Sequence, residues 1–385
     1  MIGRQTAEGP ATLANWREAP WNLWAFHHVR ELIPTAEIVA GSPAPLVPTD
    51  PPGTLPDIAV PDSGGGETAL LDLLRQGHTT GLVVLKSGRL AAEWYDRGYN
   101  GQAPHLLFSI SKSITGCVAG ILAGRGLLDP EAPVTDYVPE VAAGAYGTAR
   151  VRHLLDMTVS TGFEESYLSR QGSYGRYRAA TGWNPPIEGE RWDLHRFLAT
   201  LEPAEAPHGQ SFHYVSPNSD LLGWVLERAA GQGYPGLASQ LLWKPMGTEA
   251  PASVTVDPVG AARSAGGISA RLRDLARLGE LMRKDGGGIV PQDWVEDTLT
   301  QGDRQAWRRG DLVELFPAGS YRNQWYQTGH PSGAFAAVGI HGQWLWVDRG
   351  AEVVVAKTSA QPEPIDDAMD QRNINLCAAL AAALA

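Results

Sequence analysis

Hydrophobic and polar positions change period several times along this chain. Residues 81–98, GLVVLKSGRLAAEWYDRG, read as two apolar strands around a Lys-Ser-Gly-Arg turn, a β-hairpin. A second pair, VGIHGQWLWVD (338–348) and AEVVVAKTS (351–359), flanks the turn residues Arg349 and Gly350. Between the pairs the spacing is helical. ETALLDLLRQG (67–77) precedes the first pair, and small and apolar residues from Ser109 to Leu128, SISKSITGCVAGILAGRGLL, predict a packed helix. Ser109 or Ser111 is its cap, and Gly126 stands near its end. Residues 130–260 supply further helices (RVRHLLDMT, DLHRFLATL, SDLLGWVLERAAG, YPGLASQLLW) and no convincing strand. The alanine-rich C-terminus predicts a final helix.

Strands that bracket helices predict an α+β fold: an antiparallel sheet flanked by N- and C-terminal helices, with an all-helical domain inserted. Residues 1–66 form an irregular N-terminal arm, because GSPAPLVPTDPPGTLPDIAVPDSGGG (41–66) is dense in Pro, Gly and Ser. Residues 67–108 and 261–385 form the α/β domain and 109–260 the helical domain, with the active site in the cleft between them. No period of twenty to fifty residues repeats, which argues against a solenoid or propeller.

Composition narrows the function classes. Hydrophobic residues make up 43% and charged residues 19% of 385 positions, a globular balance. The formal charge of −11 repels phosphate backbones and anionic membranes, so neither nucleic acid nor membrane is an expected partner. Cys117 and Cys377 each sit in apolar helical patterns and read as buried, inert thiols. The N-terminal residues show no secretory pattern, and LCAALAAALA is about half the ~20 residues needed to span a bilayer, so a cytoplasmic location is expected. Histidines are scattered without metal-ligand spacing, so neither a metal nor a cofactor is expected.

The sharpest chemical signal is Ser109-Ile110-Ser111-Lys112. Three residues are nearly one helical turn, which brings the Lys112 ammonium onto the face of the Ser109 hydroxyl. A serine at a helix N-terminus also meets unpaired N–H groups suited to a developing oxyanion. Lysine is a poor base at neutral pH unless desolvated or near another cation, and Lys112, one of only five lysines, lies in an apolar helix. Gly116, Ala119 and Gly120 permit close packing around it. Ser211 to Asn218, SFHYVSPN, can project the Tyr214 phenol into a cleft to exchange a proton with Ser109 and Lys112. Gly339-Ile340-His341-Gly342-Gln343, read as the start of an edge strand, offers the Ile340 N–H as an oxyanion partner to that of Ser109. His341 is either a hydrogen-bonded structural histidine or a group of the site. Lys357-Thr358-Ser359 resembles a Lys-Thr-Gly motif, but it closes the strand one hairpin later and receives no catalytic role.

Ser-x-x-Lys, a tyrosine motif about a hundred residues later and a His-Gly strand motif, in that order, resemble the class C β-lactamase and family VIII carboxylesterase group of the penicillin-binding superfamily. WNLWAFHHVRELIPTAEI, HLLFSISKS, VTDYVPE, HLLDM, WVLERAAG, SYRNQWYQTG and GIHGQWLWVD extend the resemblance to the nylon-oligomer hydrolases over nearly the whole chain. That resemblance implies cleavage of short linear amides of the 6-aminohexanoate-dimer type through an acyl-enzyme, with short-chain esters as a side activity. A carboxylesterase with little amidase activity is the alternative. It implies Ser109 as nucleophile, Tyr214 as proton acceptor held by Lys112, Ser216 and Asn218 as supporting polar groups, and the Ser109 and Ile340 amides as oxyanion donors. It further implies Tyr167 over the leaving nitrogen, with Trp183, Trp325 and Tyr326 lining the cleft, and a homodimer. In nylon-oligomer hydrolases an acidic side chain in the 170–180 loop can hold the substrate's ammonium; here Arg178 stands at that position, with Arg176 beside it. Tyr-Val-Ser and Ile-His-Gly replace the Ser-Asp-Asn and Lys-Thr-Gly motifs of classical β-lactamases, so efficient lactam turnover is not expected.

Overall fold

Alternation along three central strands sorts their side chains onto two faces. Val83, Leu85, Leu345, Val347, Val354 and Ala356 join one core; Leu82, Val84, Trp344, Trp346, Val353 and Val355 join another. The computed structural model, which describes residues 4–50, 53–62 and 64–385, places these strands in the middle of a seven-stranded antiparallel sheet. From one edge the order is Ser320–Arg322, Trp325–Gln327, Phe335–Gly339, Gln343–Asp348, Val353–Ser359, Thr79–Lys86 and Arg89–Tyr95. Both hairpins read from the sequence are present.

Helix Leu272–Arg283 and the predicted helix, running Ile110–Gly124, cover the first face, while Leu70–Gln76 and the C-terminal helix Asp367–Leu384 cover the second. Among the described residues no helix is long and apolar enough to cross a membrane.

A second, four-stranded sheet runs Thr35–Ile38, Ala252–Thr255, Ile268–Ala270, His105–Leu106. Two of its strands depart from the sequence reading. Ala252–Thr255 is a strand within a stretch read as wholly helical; its four residues are all buried, which erases the alternation that marks a half-exposed strand. Thr35–Ile38 pairs with it, so the N-terminal arm is not irregular throughout, and Asn22–Ala25 adds a short helix. Of the arm, residues 1–3, 51, 52 and 63 lie outside the described residues.

A third departure concerns Gly339 to Gln343. Phe335–Gly339 is a strand that pairs with Gln343–Asp348, so Ile340-His341-Gly342 is the tight turn between two interior strands rather than the start of an edge strand. His341 at φ 61° and Gly342 at φ 83° supply the left-handed backbone such a turn requires.

The helix Ile110–Gly124 is buried from Ile110 to Leu122. Its glycines are notches. A Cβ on Gly116 would lie 2.2 Å from the Asn323 carbonyl oxygen, and one on Gly120 would lie 2.5 Å from the Trp294 ring. Asn323 and Gln324, at φ 51° and 68°, form the turn between Ser320–Arg322 and Trp325–Gln327. The Gln324 amide donates to the Leu154 and Leu155 carbonyls, and the Ser113 hydroxyl donates to the Gln324 carbonyl. The turn thereby wedges between the Ile110–Gly124 helix and the Val151–Leu155 helix. Gly116→Ala should cost about 1–3 kcal/mol, because the obstructing atom is backbone that cannot rotate away. Denaturant unfolding should show this as a lower midpoint at unchanged slope.

Candidate active site

Ser109 sits between the strand His105–Leu106 and the helix that follows. Leu107 N–H donates to the Ile268 carbonyl at 2.8 Å, and Phe108 turns into the left-handed region at φ 47°. A bulky residue there is strained, and its neighbours fix the bend: its ring lies 4.8 Å from Phe26 and 6.0 Å from Trp183. The bend leaves Ser109 at the helix N-cap without a side-chain capping bond, so its hydroxyl is spared for other partners. Ser111, the alternative cap, accepts from the Ile268 N–H at 3.1 Å and is structural.

One turn further, Lys112 is 1% exposed and its Nζ donates to three oxygens: Ser109 Oγ at 3.0 Å, Ser216 Oγ at 3.0 Å and the Ala265 carbonyl at 2.9 Å. Burial lowers its pKa from 10.5 to about 8, against the raising effect of Glu165. A shift of this size is roughly 3 kcal/mol in favour of the neutral amine relative to water. The Tyr214 ring centroid lies 4.9 Å from Nζ, and its hydroxyl is hydrogen-bonded to Ser109 and Tyr326. Burial and then the Glu165 charge push the Tyr214 phenol above its ordinary value.

The Tyr214 segment is held from three directions. Asp311 accepts from the Tyr214 N–H at 2.8 Å and pairs with His213 Nδ1 at 2.9 Å, while His213 Nε2 donates to the Phe163 carbonyl at 2.8 Å. Ser216 Oγ donates to Glu165 at 2.6 Å, and the Ser216 N–H is also bonded to that carboxylate. Asp220 accepts from the Ala265 N–H at 2.8 Å, which sets the carbonyl that receives Lys112.

These groups open onto a cleft of about 990 Å³ lined by Ser109, Tyr167, Tyr214, Tyr326, Gly339 and Ile340, among others. Gly339 approaches Ser109 so closely that a Cβ would lie 3.2 Å from the Ser109 nitrogen and 2.7 Å from the Leu107 carbonyl. Among the described residues neither the Ser109 nor the Ile340 N–H donates to a backbone carbonyl in a turn, loop or cap. Two unpaired N–H groups beside a hydroxyl with a basic neighbour can serve acyl transfer.

Of the residues read from sequence, Ser109, Lys112, Tyr214, Ser216, Tyr167, Tyr326 and Ile340 converge here, and Arg178 and Trp183 line an adjoining recess with Ser109. Three do not converge. Trp325 precedes Tyr326 on a strand and so faces the opposite side, buried against the Phe335 ring and near Cys117. Asn218 points into the helical layer, where its Oδ1 accepts from the Tyr146 hydroxyl at 3.1 Å. His341 is 3% exposed, its Nδ1 is bonded to the Gln361 carbonyl at 2.8 Å, and burial lowers its pKa to about 3. It is the structural histidine of its two readings.

The sequence reading missed Glu165, Arg263, Asp311 and the Ala265 carbonyl. Glu165 reaches Ser216 across 51 positions, and its only local sign was proximity to Tyr167 in FEESYLSRQGSYG.

Fold and site together define a class. A family model described as Beta-lactamase matches residues 69–379, and the chain belongs to the beta-lactamase family, an α+β fold of serine hydrolases. Within it, the chain is 38% identical over 365 residues to the 6-aminohexanoate-dimer hydrolase of Paenarthrobacter ureafaciens, covering 93% of this chain and 90% of that one. It is 31% identical to Esterase EstB of Burkholderia gladioli over 68% of this chain and 59% of that relative. A solved Bacillus anthracis structure named for the 6-aminohexanoate-dimer hydrolase superposes with a TM-score of 0.88 at 25% identity, covering 99% of both chains.

Because Glu165 raises the Lys112 pKa against desolvation, Glu165→Gln should move it below about 8. Titration of the lysine side-chain nitrogens by NMR, tractable with five lysines, measures this; an unmoved or raised value would contradict the assigned balance.

Proposed function

We propose that this protein hydrolyses short linear amides of the 6-aminohexanoate-dimer type through an acyl-enzyme on Ser109, with short-chain esters as secondary substrates. The observation that carries the reading is the desolvated Lys112 amine 3.0 Å from the Ser109 hydroxyl. In this reading neutral Lys112 takes the Ser109 proton as Oγ attacks the substrate carbonyl. Tyr214 is not the first acceptor, since its phenol is held above its ordinary value while Lys112 is held below its own. The oxyanion rests on the Ser109 and Ile340 N–H groups. The C–N or C–O bond then breaks, and the proton returns from Lys112 by way of Tyr214 to the leaving amine or alkoxide. Water attacks the acyl ester under the same base and regenerates Ser109.

Ser216 and Glu165 hold Lys112 in place, and Tyr167 at the cleft wall delivers a hydrogen bond to the leaving nitrogen. The reading treats 109–260 as the helical part and 67–108 with 261–385 as the sheet-bearing part, the cleft lying where they meet. The 38% identity to a dimer hydrolase over 93% of the chain favours amides, while the esterase relative sustains the second reading, a carboxylesterase with little amidase activity.

Purified protein and its Ser109→Ala variant, incubated with the linear 6-aminohexanoate dimer, should differ in monomer release by at least about a thousandfold. Ester cleavage without monomer release would leave only the carboxylesterase. Tyr167→Phe should lower amide hydrolysis at least about tenfold while sparing activated esters, whose leaving groups need no proton. Equal loss on both would remove Tyr167 from leaving-group protonation.

The base assignment fixes a pH profile. Below pH 8 Lys112 is the ammonium form and cannot accept a proton, so kcat/KM should rise about tenfold per pH unit toward a bend near 8 and flatten above it. A profile that falls through pH 8 would make the ammonium the active form.

A further inference from the structure

Adjoining the wide cleft, and sharing Ser109, Glu165, Tyr167 and Ile340 with it, lies a recess of about 10 Å³. That is room for about one oxygen-sized group. Its wall carries two guanidiniums, those of Arg178 and Arg263, and one carboxylate, Glu165, whose oxygens are already bonded to the Ser216 N–H and hydroxyl. Arg178 is 2% exposed; its Nε donates to the Tyr174 hydroxyl at 2.8 Å, and its guanidinium stands 5.0 Å from the Tyr174 ring and 5.3 Å from the Trp183 ring. These contacts are neutral, and Nη1 has no hydrogen-bond partner at all. Arg263, 4% exposed, shares the recess: its Nη1 pairs with Asp220 at 3.3 Å, and its Nε is also unpartnered. Behind them Arg17 donates to the Trp183 carbonyl and to Asn184, both neutral.

The buried charges do not balance. Four cations, Lys112, Arg178, Arg263 and Arg17, face the carboxylates of Glu165 and Asp220, and Glu18 beside Arg17; Glu165 is already bonded to Ser216, and Asp220 already receives Tyr177, Ala265 and Arg263. A buried guanidinium with an empty donor is costly, and a planar carboxylate is the group its fork fits best. The opposite side of the site carries the reverse sign: Glu164, Asp311, Glu314, Asp367 and Asp370 line the wide cleft and repel an anion. A ligand's carboxylate is therefore favoured beside the two guanidiniums over the opposite wall.

We propose that the recess is a carboxylate subsite, in which Arg178, with Arg263 beside it, holds one oxygen of the terminal carboxylate of a short linear substrate or product while the rest of the group lies at the recess mouth. The substrate class is then a linear amide or ester bearing a free carboxylate, not one whose only charge is an ammonium. This deepens, and rests on, the assignment of Ser109 as the nucleophile beside which that carboxylate lies.

Binding of hexanoate, 1-hexanol and hexylamine to the wild-type protein, measured by calorimetry, tests the subsite without turnover. Hexanoate should bind at least tenfold more tightly than either other ligand. Arg178→Met should abolish that advantage, and Arg178→Lys, which keeps the charge without the fork, should retain part of it. Hexanoate binding no tighter than 1-hexanol, or equally tightly to a folded Arg178→Met, would overturn the proposal. Should Arg178→Met fail to fold, the wild-type ranking and Arg178→Lys decide. The p-nitrophenyl esters of adipate, hexanoate and 6-aminohexanoate separate the two assignments. No turnover of any ester alongside tight hexanoate binding removes the nucleophile but leaves the subsite. Turnover of all three without preference for the adipate ester removes the subsite but leaves the nucleophile.

Discussion

A single amine out of water organises this molecule. Lys112 is buried on a helix that is itself buried, and its Nζ is shared among Ser109, Ser216 and the Ala265 carbonyl. Each acceptor comes from a different part of the chain, so the three can meet only in the completed fold. The apolar, glycine-notched helix removes the water, and the oxygens restrain the amine whose neutral form desolvation favours. Asp220, Glu165 and Asp311 all act one step behind this contact, holding respectively the Ala265 loop, Ser216 and the Tyr214 segment.

The electrostatics around this contact are graded. Burial separates the proton affinities, lowering the amine of Lys112 and raising the phenols of Tyr214 and Tyr167, while Glu165 raises all three and so limits how far Lys112 is depressed. A second buried lysine shows that desolvation is not enough. Lys357 is also lowered to about 8, yet its Nζ is bonded to the Ser359 hydroxyl at 2.6 Å and faces the C-terminal helix near Cys377 and Asp370. What distinguishes Lys112 is the company it keeps.

Much of this was legible in the chain. Ser109 and Lys112 lie one turn apart, so helical periodicity alone places them together, and alternation in the late strands identified the main sheet. Trp325 and Tyr326 show where such reading stops: two adjacent aromatics of similar composition face opposite sides of a strand, and only the register decides which one meets the cleft. Ala252–Thr255 was hidden because complete burial removes the alternation that marks a strand. Glu165 and Arg263 were hidden for another reason. Their partners, Ser216 and Asp220, are brought to them by loop paths that carry no period.

The Asn323-Gln324 turn wedged into the Gly116 notch has a consequence for the whole cleft. It pins the hairpin of the main sheet to the helix that follows Ser109 and to the Leu154–Leu155 carbonyls at the rear, where backbone meets backbone without slack. A cleft clamped at its back cannot widen by hinging there. Variation in what it admits is left to the opposite side, the 163–171 segment with Tyr167 and the helix Gly172–Ala180 bearing Arg178. Residues on that side can be exchanged, and the charge they present with them, while the Ser109-Lys112-Ser216 contacts behind stay fixed.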